Sequence, residues 1–78
     1  MASGDDPVIG KLGRVTHPIR PGHPGEVVLH IRGGTEIYMA VADTELPRDT
    51  EVLVIGHVSA RTLQVTAFAG GSFETTGR

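Results

Sequence analysis

The strongest constraint on the fold of this chain is a pair of runs within residues 25–42 in which apolar and polar residues alternate, joined at Gly33-Gly34-Thr35. Successive side chains of a β-strand point to opposite faces, so this alternation is typical of a strand with one buried face. Two such runs joined by a glycine pair predict a β-hairpin. The apolar positions that share a face are Val27, Leu29 and Ile31 in the first run and Ile37, Met39 and Val41 in the second.

The length of the turn decides which faces of this hairpin meet. A three-residue connection, Gly33-Gly34-Thr35, places Ile31 opposite Ile37 and Leu29 opposite Met39, so the two apolar faces coincide. A two-residue turn at the glycine pair would instead set an isoleucine against a glutamate. The sequence therefore predicts the three-residue, glycine-bulged loop, with a positive φ at one or both glycines.

The same register defines the outward face of the hairpin. A cross-strand pair of Arg32 with Glu36 is expected beside the turn. The mixed apolar and basic character of this face is typical either of a protein-binding surface or of an ordinary solvated sheet. Its members are expected to be Val28, His30, Arg32, Tyr38 and Ala40.

Three more segments predict strands on either side of the hairpin, over residues 10–19, 51–58 and 61–68. The first contains Gly10 and Gly13, and glycine within a strand marks a bulge or a bend such as the corner of a small barrel. A turn centred on Ala60-Arg61, with an even number of residues, joins the last two segments and predicts Val58 opposite Leu63 as a buried pair.

Five short strands without βαβ spacing predict an all-β fold, a small antiparallel barrel closed on itself. Residues 43–49, between the third and fourth strands, are polar and contain Pro47, so we expect a loop there rather than a helix. The domain organisation that follows is a disordered tail over residues 1–8, a barrel over 9–69 and a flexible tail over 70–78.

Composition excludes several classes of function. The 78 residues include no cysteine, and seven Lys and Arg against nine Asp and Glu give a net charge of −2 without a basic run. Binding to a nucleic-acid backbone is not expected, because such proteins carry a clustered basic surface. No apolar run approaches the ~20 residues that span a bilayer, and the N-terminal residues do not resemble a signal peptide. The chain is therefore expected in the cytoplasm.

The residues with chemical reactivity do not form a recognisable site. The four histidines are spaced by six, seven and twenty-seven residues, which matches no compact set of metal ligands. Serine, histidine and aspartate all occur, but a triad is defined by a geometry that so small a core could hardly hold in place. We therefore expect no catalysis, no metal and no cofactor.

Several short motifs resemble the C-terminal domain of NfeD-like proteins over residues 9–68. They are Gly10-Lys11-Leu12-Gly13-Arg14-Val15-Thr16, Ile19-Arg20-Pro21-Gly22, Gly25-Glu26-Val27, Leu46-Pro47 followed by residues 50–54, and Leu63-Gln64-Val65. The resemblance implies a five-stranded OB-fold barrel that lacks the usual helix between its third and fourth strands. Asp49 replaces a glycine that is usual before the fourth strand, and aspartate can also adopt a turn conformation.

The resemblance also implies a function. Members of the family are commonly anchored in membranes and encoded beside stomatin-like or flotillin-like proteins, and the barrel is regarded as a protein-interaction module. We therefore expect a non-catalytic adaptor for a flotillin/stomatin-like scaffold protein, held at the inner face of the membrane through that partner or through an anchor. The residues expected to bind the partner are Val28, His30, Arg32 and Tyr38, with Arg20 and His23 in a second surface.

Two other functions follow from the same barrel. An OB-fold can bind single-stranded nucleic acid by stacking bases on aromatic side chains along a basic groove. Here Tyr38 is the aromatic residue expected on the central face, so this hypothesis predicts weak binding. The other possibility is a structural module that self-assembles through an edge of the barrel.

Overall fold

The computed structural model describes residues 8–31 and 33–68 and contains five strands. The strands are β1 Leu12–His17, β2 Gly25–Ile31, β3 Gly34–Val41, β4 Glu51–Ser59 and β5 Thr62–Ala67. They close into a barrel in the order β1-β2-β3-β5-β4, and β4 pairs back with β1. Neighbouring strands are antiparallel except β3 and β5, which run parallel. The predicted all-β, five-stranded barrel is confirmed, and the described residues contain no helix.

One apolar core fills the barrel, and each strand supplies side chains to it from alternate positions. The described residues include no buried polar side chain. Complete burial of a valine or leucine contributes about 1.5–3 kcal/mol, so this core is the main source of stability. Val8, which the sequence places in the N-terminal tail, is only 3% exposed and belongs to it. Its members are Val8, Val15, Ile19, Val27, Leu29, Ala40, Ala42, Leu46, Val52, Val54, Leu63 and Val65.

The loop between β3 and β4 closes one end of the barrel without a helix. The backbone N–H of Ile19 donates to the carbonyl of Leu46 at 3.0 Å, and the N–H of Leu46 donates back at 2.8 Å. Both side chains are buried. Asp49 has φ 74°, and its N–H donates to the carbonyl of Val15 at 2.8 Å. Aspartate therefore occupies the left-handed turn position at which the sequence suggested a substitute for glycine.

The turn between β2 and β3 is shorter than predicted. Ile31 pairs with Gly34, so two residues rather than three form the connection, and Gly33 has φ 78°. The predicted three-residue loop is therefore wrong. Glu36 lies opposite Leu29, and the expected partner of Glu36, Arg32, lies outside the described residues.

The shorter turn exchanges the two faces of β3. Ile37 lies opposite Val28 and Met39 lies opposite Glu26, so the predicted pairing of both with the apolar face of β2 is wrong. Ile37 is 52% exposed and Met39 is 46% exposed, whereas Ala40 is completely buried. The side chains that β3 turns inward are thus the ones that the sequence placed on the surface.

The narrow interior explains why the small residue of β3 is the buried one. Ala40 lies opposite Gly25 on β2 and beside Leu63 on β5. A methyl group at Gly25 would collide with the backbone oxygens of His17 and Pro18, so the chain is tightly packed at this level. The interior of a small barrel is filled by the side chains of its strands, and at this level β3 contributes only the methyl group of Ala40.

The β4–β5 hairpin has the predicted turn but a different pairing beyond it. Ser59 pairs with Thr62, which leaves two residues in the turn. The register then shifts between His57 and Ser59, so His57 rather than Val58 lies opposite Leu63. The predicted Val58–Leu63 pair is therefore wrong, and Val58 is 59% exposed. A β-bulge inserts one residue into one strand, which turns that residue away from its expected partner.

Alanine substitutions at two strand glycines test the packing of the barrel. Gly25→Ala should lower the free energy of unfolding by about 1–3 kcal/mol, because its methyl group meets backbone oxygens that cannot rotate away. Gly56→Ala is the matched control, because no atom lies within 4 Å of its added methyl group. The control should change stability by less than about 0.5 kcal/mol. Denaturant titrations measure both, and equal stabilities would contradict the packing described.

Candidate protein-interaction surface

The described residues hold no group of three or more histidine and acidic side chains that could bind a metal ion. Nδ1 of His17 lies 2.8 Å from Oε1 of Glu26, and the hydroxyl of Thr16 donates to the same oxygen at 2.9 Å. This group lies at the surface, and the His17 side chain is 71% exposed. The arrangement orients a carboxylate at the surface of the barrel but encloses no reaction space.

A continuous apolar row lies on the outside of the β2–β3 hairpin. The odd-numbered residues of β3 point their side chains outward, and three of them in succession are apolar: Ile37, Met39 and Val41. Val28 extends the row onto β2, because it lies opposite Ile37. Val28 and Val41 are partly buried. Ile37 and Met39, which lie between them in the row, are more accessible to solvent, at 52% and 46% exposed. We call this the outer apolar face, made of Val28, Ile37, Met39 and Val41.

Polar groups border the outer apolar face on two sides. Arg14 on β1 lies opposite Val28 in the register of β1 with β2, and opposite Glu51 in the register of β1 with β4. Near Met39, a shallow hollow is lined by His17, Pro24, Gly25 and Glu26. The carboxylate of Glu26 is oriented there by the two hydrogen bonds described above. An apolar centre with a polar rim is the arrangement found at protein interfaces.

Two of the residues predicted to bind a partner lie on the outer side of the β2–β3 hairpin, and a third does not. Val28 and His30 point outward from β2 as expected, and His30 is exposed. The predicted outward orientation of Tyr38 is wrong, because Tyr38 points into the end of the barrel and packs against the core. Its hydroxyl donates to Oε1 of Glu36 at 3.1 Å, and the guanidinium of Arg61 lies 5.9 Å from the centre of its ring. This is within the range of a cation–π interaction.

Arg20 and His23 lie in a separate turn between β1 and β2. Each donates its backbone N–H to the other's carbonyl, at 3.1 Å from Arg20 and 2.7 Å from His23, and both side chains are exposed. Gly22 has φ 80°, which a residue with a side chain rarely adopts. Two backbone hydrogen bonds thus close this turn, which is separate from the outer apolar face. Arg32, the remaining candidate, is not among the residues that the structure describes.

The strand order and the parallel β3–β5 pair define a five-stranded barrel of the OB type. The family model of the NfeD C-terminal domain matches residues 12–66. The chain therefore belongs to the NfeD C-terminal domain family. No protein with a curated functional description matches it in sequence. No helix in the described part of the chain is long and apolar enough to cross a membrane.

Two solved structures share this fold. The soluble domain of the NfeD protein YuaF from Bacillus subtilis is 32% identical, with a TM-score of 0.70 over 85% of this chain and 80% of that one. The C-terminal domain of stomatin operon partner protein 1510-C from Pyrococcus horikoshii is 24% identical, with a TM-score of 0.63 over 78% of this chain and 88% of that one. The predicted resemblance to NfeD-like domains is thereby confirmed.

Substitutions on the two faces of the hairpin test the assignment of the outer apolar face. Ile37→Thr should change the free energy of unfolding by less than about 1 kcal/mol, because the side chain is 52% exposed and a threonine suits a strand. Leu29→Ala, on the inner face, should cost about 2–5 kcal/mol because it leaves a cavity in the core. Thermal or urea unfolding of both variants provides the measurement. A large loss of stability in Ile37→Thr would mean that Ile37 is buried.

Proposed function

We propose that this chain is a non-catalytic adaptor domain that binds a stomatin-like or flotillin-like membrane protein through the outer apolar face. The observation that carries the proposal is the exposure of Ile37 and Met39, side by side in one row on a closed barrel. Large apolar side chains in a contiguous patch lose contact with water when a partner covers them, which favours association. A rigid barrel adds little loss of conformational freedom to the cost of binding.

Membership of the family supports the class of partner. One structural neighbour is named a stomatin operon partner protein, which links that protein to a stomatin operon. A partner of this class would hold the domain in the cytoplasm, at the inner face of the membrane. Docking would leave His30 and Arg14 at the rim of the interface, where charged groups contribute more to specificity than to affinity.

The nucleic-acid alternative loses support from the position of Tyr38. A base needs an exposed aromatic face on which to stack. The ring of Tyr38 packs on the core on one side and faces the guanidinium of Arg61 at 5.9 Å. On the described part of the β2–β3 hairpin, the outward side chains include no aromatic residue. The outer apolar face therefore favours protein binding over nucleic-acid binding.

Binding to purified stomatin-domain and flotillin-domain proteins of the source organism tests the proposal. The double variant Ile37→Glu/Met39→Glu should raise the dissociation constant at least tenfold, equivalent to about 1.4 kcal/mol, because two carboxylates would be buried against apolar groups. Isothermal calorimetry or biolayer interferometry provides the measurement.

The matched control is the double variant Ile55→Glu/Val58→Glu on β4, where the original side chains are 49% and 59% exposed. It introduces the same charges in place of equally exposed apolar residues, and it should leave the affinity within about twofold of the original. Unchanged binding by the β3 variant would rule out the outer apolar face. Loss of binding in the β4 variant alone would place the interface on the opposite strand.

A further inference from the structure

Strand β3 is paired on both sides over only part of its length. Toward β2 it is paired from Gly34 to Ala40. Toward β5 the pairing begins at Met39 and includes Ala40 and Val41. The first half of β3 therefore has one neighbour among the described residues, and its other side is an open edge. We call this open edge the β3 edge, residues 34–37.

The direction of the backbone groups along this edge follows from one hydrogen bond. The N–H of Met39 donates at 3.2 Å to the carbonyl of Arg61, the residue that precedes β5. Backbone groups point to alternate sides of a strand. The N–H and C=O groups of Thr35 and Ile37 therefore point the same way as those of Met39, away from β2, whereas those of Glu36 point toward β2.

The edge thus presents a row of hydrogen-bonding groups without a partner in the described chain. Each of Thr35 and Ile37 offers one N–H and one C=O. Such a row is a template for pairing with another extended segment, and proteins use it to bind peptides by strand addition. The outward apolar side chain at this edge is Ile37, a member of the outer apolar face, so an added strand would extend that face directly.

The negative charge of Glu36 determines which kind of strand can bind the β3 edge. A second copy of this chain could pair antiparallel with the β3 edge through the backbone groups of both Thr35 and Ile37. Thr35 of each copy would then lie opposite Ile37 of the other, and the two-fold axis would pass beside Glu36. The two Glu36 carboxylates would then lie directly opposite each other, which destabilises a sheet. Glu36 is exposed, and its hydrogen bond from Tyr38 occupies only Oε1. A basic residue on an incoming strand would be attracted to the same position.

We propose that an extended segment of the protein partner binds the β3 edge as an additional strand, with a basic residue opposite Glu36 and an apolar residue beside Ile37. This inference rests on the proposed function and specifies how the partner binds. The backbone pairing supplies affinity that does not depend on sequence, and the two side-chain positions supply specificity.

Amide hydrogen exchange of the folded chain, with and without the purified stomatin-domain or flotillin-domain protein, tests the proposal. In the free chain the amides of Thr35 and Ile37 should exchange faster than those of Glu36 and Tyr38, which donate to β2. In the complex the two fast amides should become protected by at least tenfold. A complex in which they remain fast, but which Ile37→Glu/Met39→Glu still weakens, would overturn strand addition and leave the proposed function intact.

A pair of substitutions at Thr35 isolates the backbone group. Thr35→Pro removes the outward N–H, which the barrel does not use, and should weaken binding at least tenfold. Thr35→Val keeps the N–H and should bind within about twofold of the original chain. Equal affinities of the two folded variants would overturn the proposal.

Two further results would also overturn it. One is the absence of a complex with any of the stomatin-domain or flotillin-domain proteins, which would remove the proposed function as well. The other is protection of Thr35 and Ile37 in the chain alone, together with a mass in sedimentation that rises with concentration. That result would make a second copy of this chain the occupant of the edge.

Discussion

The two-residue turn between Ile31 and Gly34 sets the direction of every side chain on β3. Side chains alternate along a strand, so one residue more or less in the turn exchanges the inner and outer faces. With the observed turn, Ala40 enters the core and Ile37 points to solvent. The outer apolar face and the groups offered at the β3 edge are both consequences of that register.

Most of the barrel could be predicted from local sequence patterns. The strands follow from period-two alternation, whereas the turn position at Asp49, which has φ 74°, was implied by the resemblance to NfeD-like domains, in which a glycine is usual there. The faces of β3 could not be predicted in this way, because alternation shows which positions are apolar but not how much space the barrel leaves for them. At this level of the barrel Gly25 has no room for a methyl group, and the β3 residue opposite Gly25 is the fully buried Ala40.

The sequence predicted the orientation of some residues of the candidate surface but not of others. Val28 and His30 were placed correctly, because the inner face of β2 contains valine and leucine that any closed barrel would bury. Tyr38 was misplaced because its apolar ring can pack on the end of the core while its hydroxyl reaches Glu36. The bulge that exposes Val58 depends on the twist of two paired strands, and no short sequence pattern specifies that bulge.

The outer apolar face and the β3 edge adjoin at Ile37, whose side chain points outward from the barrel and whose backbone groups point sideways from the strand, away from β2. The register of β2 and β3 determines this surface, so the most direct test is an NMR measurement of cross-strand contacts between Hα protons. These protons approach closely in the pairs that do not exchange hydrogen bonds. The observed register predicts a strong Val28–Ile37 Hα contact. An Ile31–Ile37 contact in its place would contradict it, because Ile37 would then face the core.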